Sequence, residues 1–326
     1  MQDKTMMGRR GLLAATALAL PCPTLAQGGW PAGRPIEVIV GFAPGGGTDV
    51  MVRALGLFLG AEIPGANFVV LNRPGAGGET AYVALQSAKP DGHTIGAINT
   101  PGYLSVPLER KVRYDRAKIR PIARLVDDPT AFVVRQDSPY RTLKDLVEAA
   151  RRKPATISVG SSGVGTDDHL GLTLLQAASG TEFIHVPFAG AGLVKNAVLA
   201  GHIDVAGLNL GEIGILSQDR PPLLRPLAAM GEHRWELMPN VPTFREAGFD
   251  VVMTSERGLA APRGIPDEIA ARLQDAIARV MAKPEWLERA KQLELPLAYL
   301  PGAEWEAQMP AQEARYRRIW EATPWN

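Results

Sequence analysis

In Ile36-Glu37-Val38-Ile39-Val40-Gly41-Phe42-Ala43-Pro44-Gly45-Gly46-Gly47-Thr48-Asp49, a β-branched strand runs straight into a glycine-rich turn. A helix is predicted to follow, from about Val50 to Gly60. At such a junction the first backbone N–H groups of the helix have no partner within it, and the peptide dipoles add positive potential. Glycines let the backbone approach a ligand closely, Thr48 can donate from its hydroxyl, and Asp49 can cap the helix. The segment Phe42, Ala43, Pro44, Gly45, Gly46, Gly47, Thr48, Asp49 therefore suits an anionic oxygen.

The same rhythm continues outward. Phe68–Leu71 and Thr94–Ile98 read as further strands, each closed by a turn (Asn72-Arg73-Pro74-Gly75 and Asn99-Thr100-Pro101-Gly102), with a helix through Val83 and Leu85 between them. Three strand–helix units of this length imply a parallel sheet with helices on its faces. The pattern restarts with a strand at Ala131–Val134 and a helix capped by Thr142. It continues with Ile157–Gly160, a helix from about Asp167 to Ser179, and strands at Phe183–Pro187, Ile203–Gly207 and Leu224–Ala229. The C-terminal third reads as mostly helical. The expectation is an α/β chain of two domains, each a mostly parallel sheet flanked by helices. Residues 28–127 plus 236–326 would form one domain and 128–235 the other, with a cleft between them.

A second donor-rich turn falls at the corresponding place in the second unit. Gly160-Ser161-Ser162-Gly163-Val164-Gly165-Thr166 again joins a strand to a helix and adds three hydroxyls. One such turn from each domain could hold a carboxylate across a cleft without any Lys or Arg. Neither is a nucleotide motif: Gly47 is followed by Thr48-Asp49 and not Lys-Ser/Thr, and Val50 and Asp168 stand where a dinucleotide fingerprint needs its third glycine. Ser162 lacks the second glycine of a nucleophile elbow, since Val164 stands there. His169 and His185 lack metal-ligand spacing and read as core or capping histidines, and Asp49 has no partner carboxylate at a readable spacing.

Composition bounds the partners. The 326 residues are 46% hydrophobic and 21% charged, an ordinary globular balance. Residues 1–27 differ: Arg9-Arg10 precedes the apolar run Leu12–Leu20, and Thr24-Leu25-Ala26 offers a small-residue cleavage site, the marks of a signal peptide for the general or the twin-arginine route. Cys22, the single cysteine, falls inside it, so the exported chain has no thiol chemistry. Taking away Lys4, Arg9, Arg10 and Asp3 turns 35 basic and 34 acidic residues into 32 and 33, a balance that implies neither nucleic acid nor an anionic membrane surface.

The ordered motifs together resemble a family. Val40–Asp49, Asn72-Arg73-Pro74-Gly75-Ala76-Gly77-Gly78, Pro90-Asp91-Gly92-His93-Thr94, Gly160–Thr166 through His169-Leu170, His185-Val186-Pro187-Phe188 with Gly190, Asp204, Asn209 and Pro239-Asn240-Val241-Pro242-Thr243 match the extracytoplasmic solute receptors of tripartite tricarboxylate transporters, the Bug family. The match runs from about residue 30 to the end. The resemblance implies a periplasmic binding protein of type II-like fold, monomeric and without a cofactor or metal, not an enzyme. It would take one ligand carboxylate between Phe42–Asp49 and Ser161, Ser162, Gly163, Thr166, with His169 and Asn209 in the site, and would be read by membrane transporter subunits. A sensor partnered with a membrane signalling protein, or a periplasmic hydrolase using His169 or Asp49, are the competing readings. Ala81, Ala189, Leu193 and Ser255-Glu256-Arg257-Gly258 depart from the family pattern, the last replacing an aromatic before the glycine. These departures bear on the far end of the ligand, not on the carboxylate anchor.

Overall fold

The computed structural model describes residues 29–213 and 223–325; the signal peptide read in residues 1–27, with Cys22, lies outside the described residues. Strand β1 (Ile36–Val40) leads through helix α1 (Gly47–Glu62) to β2 (Phe68–Asn72), and α2 (Glu79–Gln86) leads on to β3 (Thr94–Thr100). Both β2 and β3 pair parallel with β1. After α3 (Gly102–Glu109) comes β4 (Ile119–Arg135), whose 17 residues make it the longest strand.

The second unit repeats the plan. Helix α4 (Leu143–Arg152) precedes β5 (Ser158–Ser161), α5 (Asp167–Ser179), β6 (Ile184–Pro187), α6 (Ala191–Leu199) and β7 (Val205–Asn209). Here β5 takes the central place, parallel to β6 and β7. The expected cap on α4 is a full capping box, with Thr142 accepting from the Asp145 amide and Asp145 accepting from the Thr142 amide. Then come β8 (Leu224–Ala229), β9 (Thr254–Pro262), α7 (Asp267–Met281), α8 (Pro284–Gln292), β10 (Leu297–Pro301) and α9 (Gly302–Ala322).

The strands form one sheet in the order β2-β1-β3-β9-β4-β7-β5-β6, with β8 and β10 also on β4. Each end carries a parallel triplet ordered second–first–third, joined inward to an antiparallel strand: β9 next to β3, and β4 next to β7. This is the two-winged α/β plan of a periplasmic binding protein. Strand β4 serves both wings, because Ile119–Pro129 pairs with β9 while Thr130–Arg135 pairs with β7 and β8.

The central strands differ most from the sequence expectation, which gave β4 only residues 131–134 and β9 no strand at all. Strand β9 begins Thr-Ser-Glu-Arg-Gly, which reads as a loop, yet Ser255 onward is fully buried. Its charges are paired inside: Glu256 Oε1 takes Arg124 at 2.5 Å and Oε2 takes Trp305 at 2.8 Å, while Arg257 meets Asp128 and Glu212. Pairing offsets part of the desolvation cost that polarity implies. One apolar core packs α1, α7 and α8 on the first wing (Leu55, Ile277, Trp286); a larger one, including Phe132, Leu170, Phe244 and Trp305, runs across both wings.

Candidate ligand-binding site

Both turns are braced from behind. In the first, Asp49 is buried and its Oδ2 accepts from the Gly45 amide at 3.0 Å; Arg53 Nε donates to both its oxygens, and Asn72 Nδ2 donates to its Oδ1 at 2.9 Å and to the Phe42 carbonyl at 3.1 Å. Burial pushes the Asp49 carboxyl up, but the hydrogen bonds from Arg53, Gly45 and Asn72 outweigh it and hold the pKa below the usual carboxylate value. Asp49 therefore holds the turn as a committed anion and is not a free acid.

In the second turn, Asp168 Oδ2 accepts from the Ser162 amide at 2.7 Å and His169 Nδ1 accepts from the Gly165 amide at 3.0 Å. The Thr166 hydroxyl reaches the Gly163 carbonyl at 2.6 Å. The ring of His169 stacks on His185, with centroids 3.9 Å apart. Burial, then the charge of His185, drives the His169 pKa down to about 3, and burial drives His185 to about 4, so both rings are neutral at physiological pH. The His185 Nε2 lies 2.6 Å from Ser161 Oγ, a serine–histidine contact, but Ser161 is 1% exposed and the histidine is far too weak a base to activate it. Among the described residues no group of three or more His, Cys, Asp or Glu is placed to hold a metal ion.

The turns face one cleft. Phe42, Gly46, Gly47 and Thr48 line it from the first turn; Ser162 and Thr166 line it from the second; Asn209 lines it from the end of β7. Ala43, Pro44, Gly45, Asp49 and Ser161 do not line it, Pro44 and Gly45 being exposed and Asp49 and Ser161 buried, and Gly163 lines an adjoining opening. His169 does not reach either space; its place is the brace beneath the turn. A Cβ on Gly46 would find ordinary space within the protein, its nearest neighbour being 3.6 Å away. The tight glycine is Gly47, where a Cβ would lie 2.2 Å from Arg257 Nη1 and 2.7 Å from Glu212 Oε1.

Those two neighbours, with Asn99, Thr100, Asp167 and Ser255, are lining residues that the sequence reading did not place in the site. Glu212 Oε1 accepts from the Gly47 amide at 2.9 Å, so a carboxylate of the chain itself sits on the N-terminus of α1, and its Oε2 accepts from the Asn209 amide at 3.1 Å. Arg257 donates from Nη2 to Asn209 Oδ1 at 2.5 Å, faces Glu212 at 3.3 Å and Asp128 at 3.2 Å, and is 2% exposed. Burial pulls its pKa down, but the carboxylates of Glu212, Asp128 and Asp167 more than offset that. Burial raises Asp128 to about 7 despite Arg257, and it raises Asp167 as well. A sequence signal for this cluster did exist: an Arg flanked by Glu and Gly just before the apolar run Leu259-Ala260-Ala261 has to be paired if it enters a strand.

The walls come from both wings. The Ala43 amide donates to the Ala189 carbonyl at 3.2 Å, and Gly190, at φ +137°, leaves no room for a Cβ, which would lie 3.0 Å from Ala43 N. The Ser105 hydroxyl on α3 bonds the Gly165 carbonyl of the second turn.

The family model described as tripartite tricarboxylate transporter family receptor matches residues 54–322. The UPF0065 protein in the gbd 5' region of Cupriavidus necator is 32% identical, over 97% of this chain and 95% of its own. Among solved structures, a TctC solute binding protein from Polaromonas with no ligand is 31% identical with a TM-score of 0.64, covering 90% of this chain and 99% of that one. The Rhodopseudomonas palustris protein Rpa4515 with adipate is 26% identical with a TM-score of 0.83, covering 90% and 97%.

Proposed function

The chain belongs to the tripartite tricarboxylate transporter receptor family, and from that premise we propose that it is a periplasmic receptor which captures a small carboxylate-bearing solute for the membrane subunits of such a transporter. One observation carries the carboxylate: two strand–helix turns, one per wing, line a single cleft at the starts of α1 and α5, with Gly46, Gly47 and Thr48 on one side and Ser162 and Thr166 on the other. The Glu212 carboxylate resting on the Gly47 amide at 2.9 Å is consistent with this, as a carboxylate placed at the α1 N-terminus. The adipate of the R. palustris neighbour, a dicarboxylic acid, points the same way.

We assign residues 28–127 plus 236–326 to one lobe and 128–235 to the other, with the change of partners at Pro129 and Thr130 in β4 as one crossover. The Polaromonas protein, without ligand, superposes less well than the adipate-bound one despite its higher identity. That supports lobes that shift about such crossovers and a chain whose turns here stand in the closed arrangement. The expected partner for the closed form is the transporter, and the expected compartment is the periplasm. Among the described residues no helix is long and apolar enough to cross a membrane.

The test is a thermal-shift screen of mono-, di- and tricarboxylates at millimolar concentration. A ligand of the native state raises stability by RT ln(1 + [L]/Kd), about 2.7 kcal/mol at a hundredfold excess over Kd. The absence of any stabiliser across such a panel would sink the proposal.

A further inference from the structure

We propose that Glu212 is an interlobe latch: from the second lobe it grips the Gly47 amide and the Arg257 guanidinium of the first, so that the receptor rests closed before any solute arrives. The inference rests on the two-lobe division proposed above, and it concerns the empty protein, not the solute.

The Glu212 carboxylate is divided between the lobes. Its Oε2 accepts from the Asn209 amide at 3.1 Å, within its own lobe, while Oε1 crosses to the Gly47 amide at 2.9 Å and to Arg257 Nη2 at 3.3 Å. The chain that carries it is pinned to the second lobe. Lys195 Nζ on α6 donates to the Glu212 carbonyl at 3.4 Å, and the Gly211 amide donates to Asp128 Oδ1 at 3.1 Å. From the first lobe, Arg257 also sends Nη2 across to Asn209 Oδ1 at 2.5 Å, while its Nη1 faces Asp128 Oδ2 at 3.2 Å without a hydrogen bond. The lack of room for a Cβ on Gly47 is what lets this ion pair close over the start of α1.

Opening the lobes exchanges these bonds for water. Removing the carboxylate therefore penalises the closed form alone, which keeps a buried Arg257 with one counter-charge fewer and leaves the Gly47 amide without its acceptor. The other bonds described across the cleft, from the Ala43 amide to the Ala189 carbonyl and from Ser105 to the Gly165 carbonyl, join neutral groups and are weaker. Arg257 stands in the segment Ser255-Glu256-Arg257-Gly258 that departs from the family pattern, so the latch is a property of this chain and not of the fold. Solute reaches the turns from the open form, and the latch thus sets how much of the empty receptor is ready to load.

The test is single-molecule energy transfer on the exported chain with no solute present. Residues 28–326 contain no cysteine, so a dye pair can be placed through Leu57→Cys on α1, where the side chain is 77% exposed, and Glu148→Cys on α4, where it is 63% exposed. The expected result is a wild type mostly in one closed population, and a closed-to-open ratio lowered roughly tenfold or more by Glu212→Ala, the value of a hydrogen bond to a charged group. Glu212→Gln keeps the size of the side chain and an acceptor for the Gly47 amide but has no charge for Arg257, so it should fall between the two, and it carries the test if the alanine variant does not fold. A wild type that is mostly open when empty overturns the inference, as does an unchanged ratio in either variant. No solute enters this measurement, so its failure leaves the receptor reading standing, and the carboxylate screen tests that reading separately.

Discussion

Replacing Arg257 with Met is the sharpest test of how the cleft is held together. Met keeps the apolar stem but ends short of the guanidinium, so Asp128, which is fully buried, and Glu212 lose their shared cation. Removing one partner of a buried ion pair costs about 3–5 kcal/mol, because the other charge is left uncompensated. The loss should depend on pH, and the sign follows from Asp128. Its folded pKa of about 7 lies above its ordinary 3.8, so the native state holds a proton that the unfolded chain has released; this group's contribution falls as pH rises and levels off above 7. Without Arg257 the folded pKa rises further, and the fall continues through pH 8, adding about 1.4 kcal/mol per pH unit to the difference from wild type. Urea unfolding of both proteins at pH 6.5, 7 and 8 measures it. Equal midpoints at pH 8, or a difference of constant size across that range, would refute the account of Arg257 as the counter-charge of a buried acidic cluster.

Other substitutions probe the turns. Gly190→Ala places a Cβ against Ala43 N at a φ of +137°, so it should cost about 1–3 kcal/mol in backbone strain and keep the 189–192 loop off the first turn. Solution scattering in the presence of a bound carboxylate should then lack the compaction expected of the wild type. Thr48→Ala removes a hydroxyl donor from the cleft and should weaken the tightest carboxylate of the screen by about 1.5–3 kcal/mol, read by titration calorimetry. The histidine stack gives a test in acid. A His pKa held at about 3 in the fold, against an ordinary 6.5, contributes stability above pH 6.5 that is lost as pH falls, roughly 2 kcal/mol for His169 by pH 5. Asp128 works in the opposite sense over that window, so the effect is read as the difference between wild type and His169→Gln, which should shrink from pH 7 to pH 5.

The parts of the fold visible in the sequence are those that satisfy themselves locally. The parallel strands β1, β3 and β7 are apolar runs closed by glycine turns, α4 carries its own cap, and both donor turns announce themselves by composition. What escaped was built from residues whose meaning depends on a partner in another element of the fold. Asp128 and Pro129 look like a break in a strand until Arg257 and Thr254 are set beside them, and Glu256 looks exposed until Arg124 and Trp305 close on it. The same cause explains His169: its position near the second turn is real, but only the stack on His185 and the Gly165 amide make it a support and not a contact.

This division bears on specificity. In the proposed role the turns would recognise with backbone amides and small hydroxyls, which any relative that preserves the glycines can present, and so would select for a negatively charged oxygen and little more. Discrimination between acids has to come from side chains, and here those sit at the ends of β3, β7 and β9 and at the start of α5: Asn99, Asn209, Arg257 and Asp167. Each is held by another of the set or by the adjoining turn, as with Asn209, which donates to Asp167 and accepts from Arg257. A change in any one alters the charge or donor balance seen by the far end of the ligand while the turns stay in place. Exchanging Arg257 therefore should move ligand preference as well as stability, and a variant that lost stability yet ranked the carboxylates of the screen as wild type does would place recognition elsewhere in the cleft.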